Sequence, residues 1–299
     1  MAYLFETFKG WNAYCTKKNC SLAESVIEYE VSQKGSLETD IYQGIAKAYG
    51  VMKEAVETGF TQDMTSNSGM ISNGAKKVYH YDKPVLSKEF QNLIARALSA
   101  KEVNSCMGRV VAAPTAGASG ILPGVLYTLQ ELHKLTDKEV YDGMLVAAGI
   151  ALIIAHTSSL AGAVGGCQAE TGSAAAMAAG AIVYCLGGDN NQVFNAVGIT
   201  IQCMLGLVCD PVAGLVEIPC VVRNASAAAI ANSSAQIALA GLDAVIPADE
   251  CVEAMAEVAE SMETRYKETA LGGLAATKTG KRISKRVLIQ DIDILPDQD

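Results

Sequence analysis

Three of the nine cysteines stand where a backbone can bend around a ligand. Cys167 lies in Gly165-Gly166-Cys167-Gln168-Ala169-Glu170, Cys209 opens Cys209-Asp210-Pro211-Val212-Ala213-Gly214, and Cys220 follows Pro219. Glycine and proline give such turns their shape, and thiolates are strong ligands for zinc, iron and iron–sulfur groups. Forty-one residues separate Cys167 from Cys209 and ten separate Cys209 from Cys220, which is not a ferredoxin spacing. Spacing alone therefore leaves three readings open: a structural metal, a cluster, or ordinary turn cysteines. Three sulfurs would leave one coordination position free, the arrangement that catalytic metals use. Glu170 and Glu217 are close enough in sequence to orient such ligands. Cys185, Cys203 and Cys251 fall at apolar helical positions and read as small buried hydrophobes. Cys15 and Cys20 have no second pair to complete a zinc site, and Cys106 is ambiguous.

A second constellation is Pro114-Thr115-Ala116-Gly117-Ala118-Ser119-Gly120. A glycine-containing turn that opens a helix presents unpaired N–H groups and the positive end of the helix dipole. That suits a carboxylate, although a plain capped loop has the same composition. Histidine offers less. His133 reads as solvated, His156 as a satisfied core group, and neither it nor His80 supports a catalytic assignment.

The elements that must position these residues are helical. Residues 38–58 carry a stripe at Ile41, Ile45, Ala48, Met52 and Ala55, and residues 87–106 another at Phe90, Leu93, Ile94, Ala97 and Leu98. Residues 21–34 form a shorter helix with Ser21 as N-cap. Further helices are expected over 120–134, 137–155, 172–186, 190–205, 224–241 and 248–264. Strand alternation is scarce, with 218–222 the one extended candidate. Residues 61–86 are polar and glycine-bearing and read as a long loop, a feature that is often functional. The fold class is mainly α, a compact multi-helix domain with glycine-rich loops. An N-terminal helical unit occupies 1–86 and a compact core 87–299.

Bulk properties narrow the function. Half of the 299 residues are hydrophobic, only 6% are aromatic, and the net charge is −9. Such a chain repels nucleic acid and anionic membranes. The basic run Lys278, Lys281, Arg282, Lys285 and Arg286 reads as a solvated face. No secretory leader is visible, and the longest apolar run, 145–155, falls short of the roughly 20 residues of a membrane span. An odd number of cysteines without a leader points to a reducing, cytoplasmic setting.

Four segments resemble one family: GRVVAAPTAGASGILPGVL (108–126), AGAVGGCQAETGSAAAMAAGA (161–181), GLVCDPVAGLVEIPCVVRNA (206–225) and ETALGGLAATKTGK (268–281). In order and in content they are similar to the α subunit, or α portion, of iron–sulfur L-serine dehydratases. The likeness extends through 21–77. It implies that Cys167, Cys209 and Cys220 bind three irons of a [4Fe–4S] cluster, leaving the fourth iron for substrate. It also implies a carboxylate site at Thr115, Ala116, Gly117 and Ser119, a substrate-side loop at Ser68 and Gly69, and a cluster-side turn at 272–275. The expected reaction turns L-serine into pyruvate and ammonia. The base that takes the α-proton is expected from a separate β subunit, because the Ser-Ser-His-Thr type segment of that portion is missing here. The family pattern more often has Glu at 164, Cys at 171, Ser at 118 and Asn near 156, where this chain has Val164, Thr171, Ala118 and His156. Rival readings are an iron–sulfur cysteine desulfidase, a non-enzymatic redox or iron sensor, and a pyridoxal-phosphate dehydratase. The sensor fits poorly with the 114–120 turn. The pyridoxal enzyme fits poorly with a glycine-rich core short of lysine.

Overall fold

The structure, a computed structural model, describes residues 5–292, with side chains through Val287. Its helices in chain order are α1 (Phe8–Lys18), α2 (Leu22–Lys34), α3 (Glu38–Thr61), α4 (Gly74–Tyr79), α5 (Lys88–Ser105), α6 (Ile121–His133) and α7 (Asp137–Thr157). Then come α8 (Gly162–Cys167), α9 (Ser173–Cys185), α10 (Asn190–Met204), α11 (Cys220–Leu239), α12 (Ala248–Ser261) and α13 (Lys278–Ile292). The described residues contain no β-strand, only single bridges between Thr65 and Ser72 and between Cys209 and Lys267. The chain is a compact multi-helix domain.

Local sequence starts several helices. Ser21 with Glu24, Thr136 with Glu139 and Asp189 with Gln192 form reciprocal capping boxes at α2, α7 and α10. Packing decides the rest. Every residue of α9 from Ser173 to Val183 is buried, and its small side chains let α6, α7, α10 and α11 pack closely around it. By length and composition α7 is apolar enough to cross a membrane. Here it is a core helix that packs on α9 and α2, with Leu145, Ile150, Ile153 and Ile154 buried. One contiguous apolar cluster runs from Phe5 and Trp11 through α3 and α6 to Met255.

Trp11 anchors α1 in that cluster. It is fully buried, stacks on Phe5 and donates from Nε1 to Ser25 Oγ at 2.6 Å. Trp11→Ala should therefore cost about 3–5 kcal/mol, read as a lower urea midpoint at unchanged slope.

Four local expectations are corrected. Residues 218–222 are not extended, because α11 begins at Cys220, directly after Pro219. The long polar segment contains α4, whose first N–H groups, Gly74 and Ala75, donate to the buried Glu102 carboxylate of α5 at 2.8 and 3.2 Å. That cap comes from 28 residues away, so no local signal announces the helix. Cys203 is exposed, since the stripe of α10 turns Val193, Val197 and Ile201 inward instead. His156 is exposed too, 3.7 Å from Glu6.

Candidate active site

Side-chain staples hold the three turn cysteines. Cys167 ends α8, and a π-helical turn, Gln168–Gly172, leads from it into α9. Gly166 has φ +74°, and a Cβ there would meet Met262 Sδ at 2.7 Å, so glycine is required. Gln168 then fixes the strand of chain that carries Cys209. Its N–H donates to Leu207 O (2.9 Å), its Oε1 accepts from Gly206 N (2.8 Å), and its Nε2 donates to Met255 O (3.0 Å). Cys209 is clamped from the other side, its N–H donating to Tyr266 O and its carbonyl accepting from Glu268 N, both at 2.8 Å. Cys220 begins α11, and one turn later the buried Asn224 Nδ2 donates to Cys220 O (2.9 Å) and to Gly117 O (2.8 Å). The Oδ1 of Asn224 accepts from Gly120 N at 2.9 Å. One amide thus ties the Cys220 turn to the 114–120 turn.

All three cysteines are buried, and none is in a disulfide. Burial pushes each thiol up, Cys220 to about 12, and negative charge on Cys167 adds to the rise at Cys209 and Cys220. Three thiols therefore face one volume. Cys167 Sγ is also 2.8 Å from Thr171 Oγ1. The cations nearby are Arg223 and Lys101. Arg223 Nη1 donates to Val208 O at 2.9 Å and lies 2.9 Å from Asp210 Oδ1, off the line of a hydrogen bond, so that contact is ionic. Asp210 Oδ2 accepts from Leu274 N at 2.7 Å, which brings the 272–275 turn beside Cys209. Among the described residues, no three His, Cys, Asp or Glu side chains are close enough to hold a single metal ion.

The 114–120 turn adjoins this volume. Glu170, three residues beyond Cys167, accepts from Thr115 Oγ1 at 2.6 Å. A Cβ on Gly117 would overlap the same carboxylate, with Oε2 at 2.9 Å. Gly120 N is taken by Asn224 and Ala118 N by Thr115 Oγ1 at 3.3 Å. The N–H groups of Ala116 and Gly117 have no partner among the described residues, so the donors left for an anion sit at the tip of the turn, not along the helix. Ser119 is buried with its hydroxyl unpartnered. Ser66 and Ser68 each donate to Glu217 Oε2 at 2.6 Å, so the loop before Cys220 latches the 66–69 loop. Arg286 of α13 donates to Ser68 O at 3.2 Å. Gly69 is exposed at the tip of that loop.

The residues match a family description, "Serine dehydratase alpha chain", over 17–275. The chain belongs to the serine dehydratase alpha-chain family. It is 42% identical over 277 residues to the L-serine dehydratase alpha chain of Peptoniphilus asaccharolyticus, covering 92% of this chain and 95% of that protein. A probable L-serine dehydratase alpha chain of Bacillus subtilis is 38% identical over 287 residues, covering 95% of each. L-serine dehydratase 1 of Escherichia coli is 34% identical over 284 residues, which are 91% of this chain but 62% of that longer protein.

For this alpha chain the structure brings together Cys167, Cys209, Cys220, Thr115, Ala116 and Gly117, with Ser68 one latch away through Glu217. Reading the sequence missed Lys101, Glu268, Arg223 and Asn224. Lys101 is fully buried, with Nζ 2.5 Å from Asn104 Oδ1 and 2.8 Å from Val216 O. Burial pushes its pKa down, and the negative charges of Cys220, Glu170 and Glu217 oppose that shift. A lysine inside an apolar helical stripe was the one signal for it. Asn224 had the weaker signal of standing one helical turn after Cys220. A cavity of about 660 Å³ elsewhere, walled by α3, α7 and residues 111–114, includes none of the three cysteines and not Glu170.

Proposed function

We propose that this chain is the cluster-bearing subunit of an iron–sulfur L-serine dehydratase of the cytoplasm, which removes water from L-serine to give pyruvate and ammonia with a β subunit. The observation that supports this most is the meeting of three unpaired buried thiols with the Thr115–Gly117 turn. The residues fit a [4Fe–4S] group. Three buried, unpaired thiols are soft ligands suited to iron, and they do not close around one metal ion, whereas a four-iron cluster is wider. Cys167, Cys209 and Cys220 would hold it, and it would supply a Lewis acid for the departing hydroxyl.

The chain's own residues supply binding and orientation. Ala116 and Gly117 N–H, at the tip of the turn that precedes α6, hold the substrate carboxylate. Asn224 fixes that turn relative to Cys220, so the carboxylate and the hydroxyl are held at a set distance. The latch of Ser66 and Ser68 on Glu217 keeps the 66–69 loop over the site and excludes water. Abstraction of the α-proton falls to the β subunit. The names of the alpha-chain relatives and the greater length of the E. coli protein support a partner of this kind.

Protein purified without oxygen should be brown, contain iron and acid-labile sulfide in equal amounts, and bleach in air. With its β subunit it should release pyruvate from L-serine. Stoichiometric zinc without sulfide in that material would overturn the proposal.

A further inference from the structure

On this reading of the function, substrate and protein bring two carboxylates to one turn, which fixes where a third charge belongs. Glu170, 9% exposed, lies flush on Gly117 and accepts from Thr115, beside the Ala116 and Gly117 N–H groups that take the substrate carboxylate. Two anions so close repel unless a cation stands between them. The residues around Gly162 show where. A Cβ there would lie 3.1 Å from Cys209 Sγ, 3.4 Å from Glu170 Oε2 and 3.6 Å from Glu268 Oε2. Glu268 is held in place by its N–H bond to Cys209 O and stands at φ +62°. Burial and the charge of Glu170 both push its carboxyl up.

Among the described residues, no lysine, arginine or histidine forms an ion pair with Glu170 or Glu268. The group does not close around a metal ion either. An alkylammonium, with three tetrahedral donors, can bridge both carboxylates. In an α-amino acid that ammonium sits one carbon from the carboxylate, so a substrate held at the turn carries it beside Glu170. The unpartnered buried hydroxyl of Ser119 is a further polar group left for a ligand in the same turn.

We propose that Glu170, with Glu268 beside it, is the subsite for the substrate's α-ammonium group and selects amino acids over hydroxy acids.

The test uses the assembled, cluster-loaded enzyme as wild type, Glu170→Gln and Glu268→Gln. KM and kcat are measured with L-serine, and Ki with 3-hydroxypropionate, which is serine without its amino group. Glu170→Gln should raise KM for serine at least about tenfold, the loss expected of one charge-assisted hydrogen bond. Its visible absorption should persist, and Ki for 3-hydroxypropionate should stay the same or fall, since repulsion between carboxylates is relieved. Glu268→Gln should move KM and Ki in the same directions by less. An unchanged KM, or KM and Ki rising by the same factor, overturns the proposal. Should Glu170→Gln lose its absorption, the same comparison on Glu268→Gln decides. A wild-type enzyme that does not turn over serine would overturn the reaction itself, a failure seen before any variant is measured.

Discussion

Cys209→Ser, prepared without oxygen, should be colourless and inactive, and Cys167→Ser and Cys220→Ser should match it. Each removes one of three sulfurs that face a single buried volume, and a serine hydroxyl is a far harder and less acidic ligand for iron than a thiol. Turnover should drop below detection, because the nearby carboxylates of Glu170 and Glu268 are hard oxygen donors that replace a thiolate poorly in a cluster. The comparison set is Cys203→Ser, Cys251→Ser and Cys185→Ser. Cys203 is exposed and should be silent. Cys251 Sγ lies 3.5 Å from Ile246 O and Cys185 Sγ 3.4 Å from Glu139 O, each packing one helix end. These two should lose on the order of 1 kcal/mol of stability and keep full iron and sulfide. Iron and sulfide analysis across the six variants checks the assignment. Full occupancy in any of the first three would remove that residue from the ligand set.

Gly117→Val should weaken serine binding while the iron content holds. Its basis is contact, not backbone conformation: Gly117 is not among the residues with positive φ, but a Cβ there runs into the Glu170 carboxylate. Valine would push Glu170 off Thr115 and cover the turn's free N–H groups. Losing one or two charge-assisted hydrogen bonds costs roughly 1.5–3 kcal/mol each, or about tenfold or more in apparent affinity per bond. The cysteines are held by Gln168, Tyr266 and Asn224 instead, so visible absorption should be retained. Serine kinetics and absorption on one sample decide it, with unchanged kinetics removing the turn from the site. Gly117→Ala should fall between wild type and valine.

Much of the fold was written locally. Capping pairs such as Ser21 with Glu24 and the periodic stripes of α3, α5 and α12 mark helices at one-turn range, because a cap and an apolar face are both properties of consecutive residues. Two of the helices that escaped notice lacked such signals. α4 is capped by Glu102 from another helix, and α8 is glycine-rich with a non-helical Gly166 inside it. Exposure was less legible than periodicity. Cys203 sits in an apolar helix yet faces solvent, because burial depends on which neighbour covers a face.

Residue type and local turn chemistry suffice for the helical class, the three turn cysteines and the Thr115–Gly120 turn. Their convergence is a product of long-range packing. Asn224 joins Cys220 to Gly117 across 107 residues, Glu217 reaches Ser66 across 151, and Lys101 and Glu170 meet the cysteines inside the core. Those contacts pair polar groups that burial would otherwise leave unsatisfied. Their partners are chosen by how whole helices pack around α9, a choice no short stretch of the chain encodes.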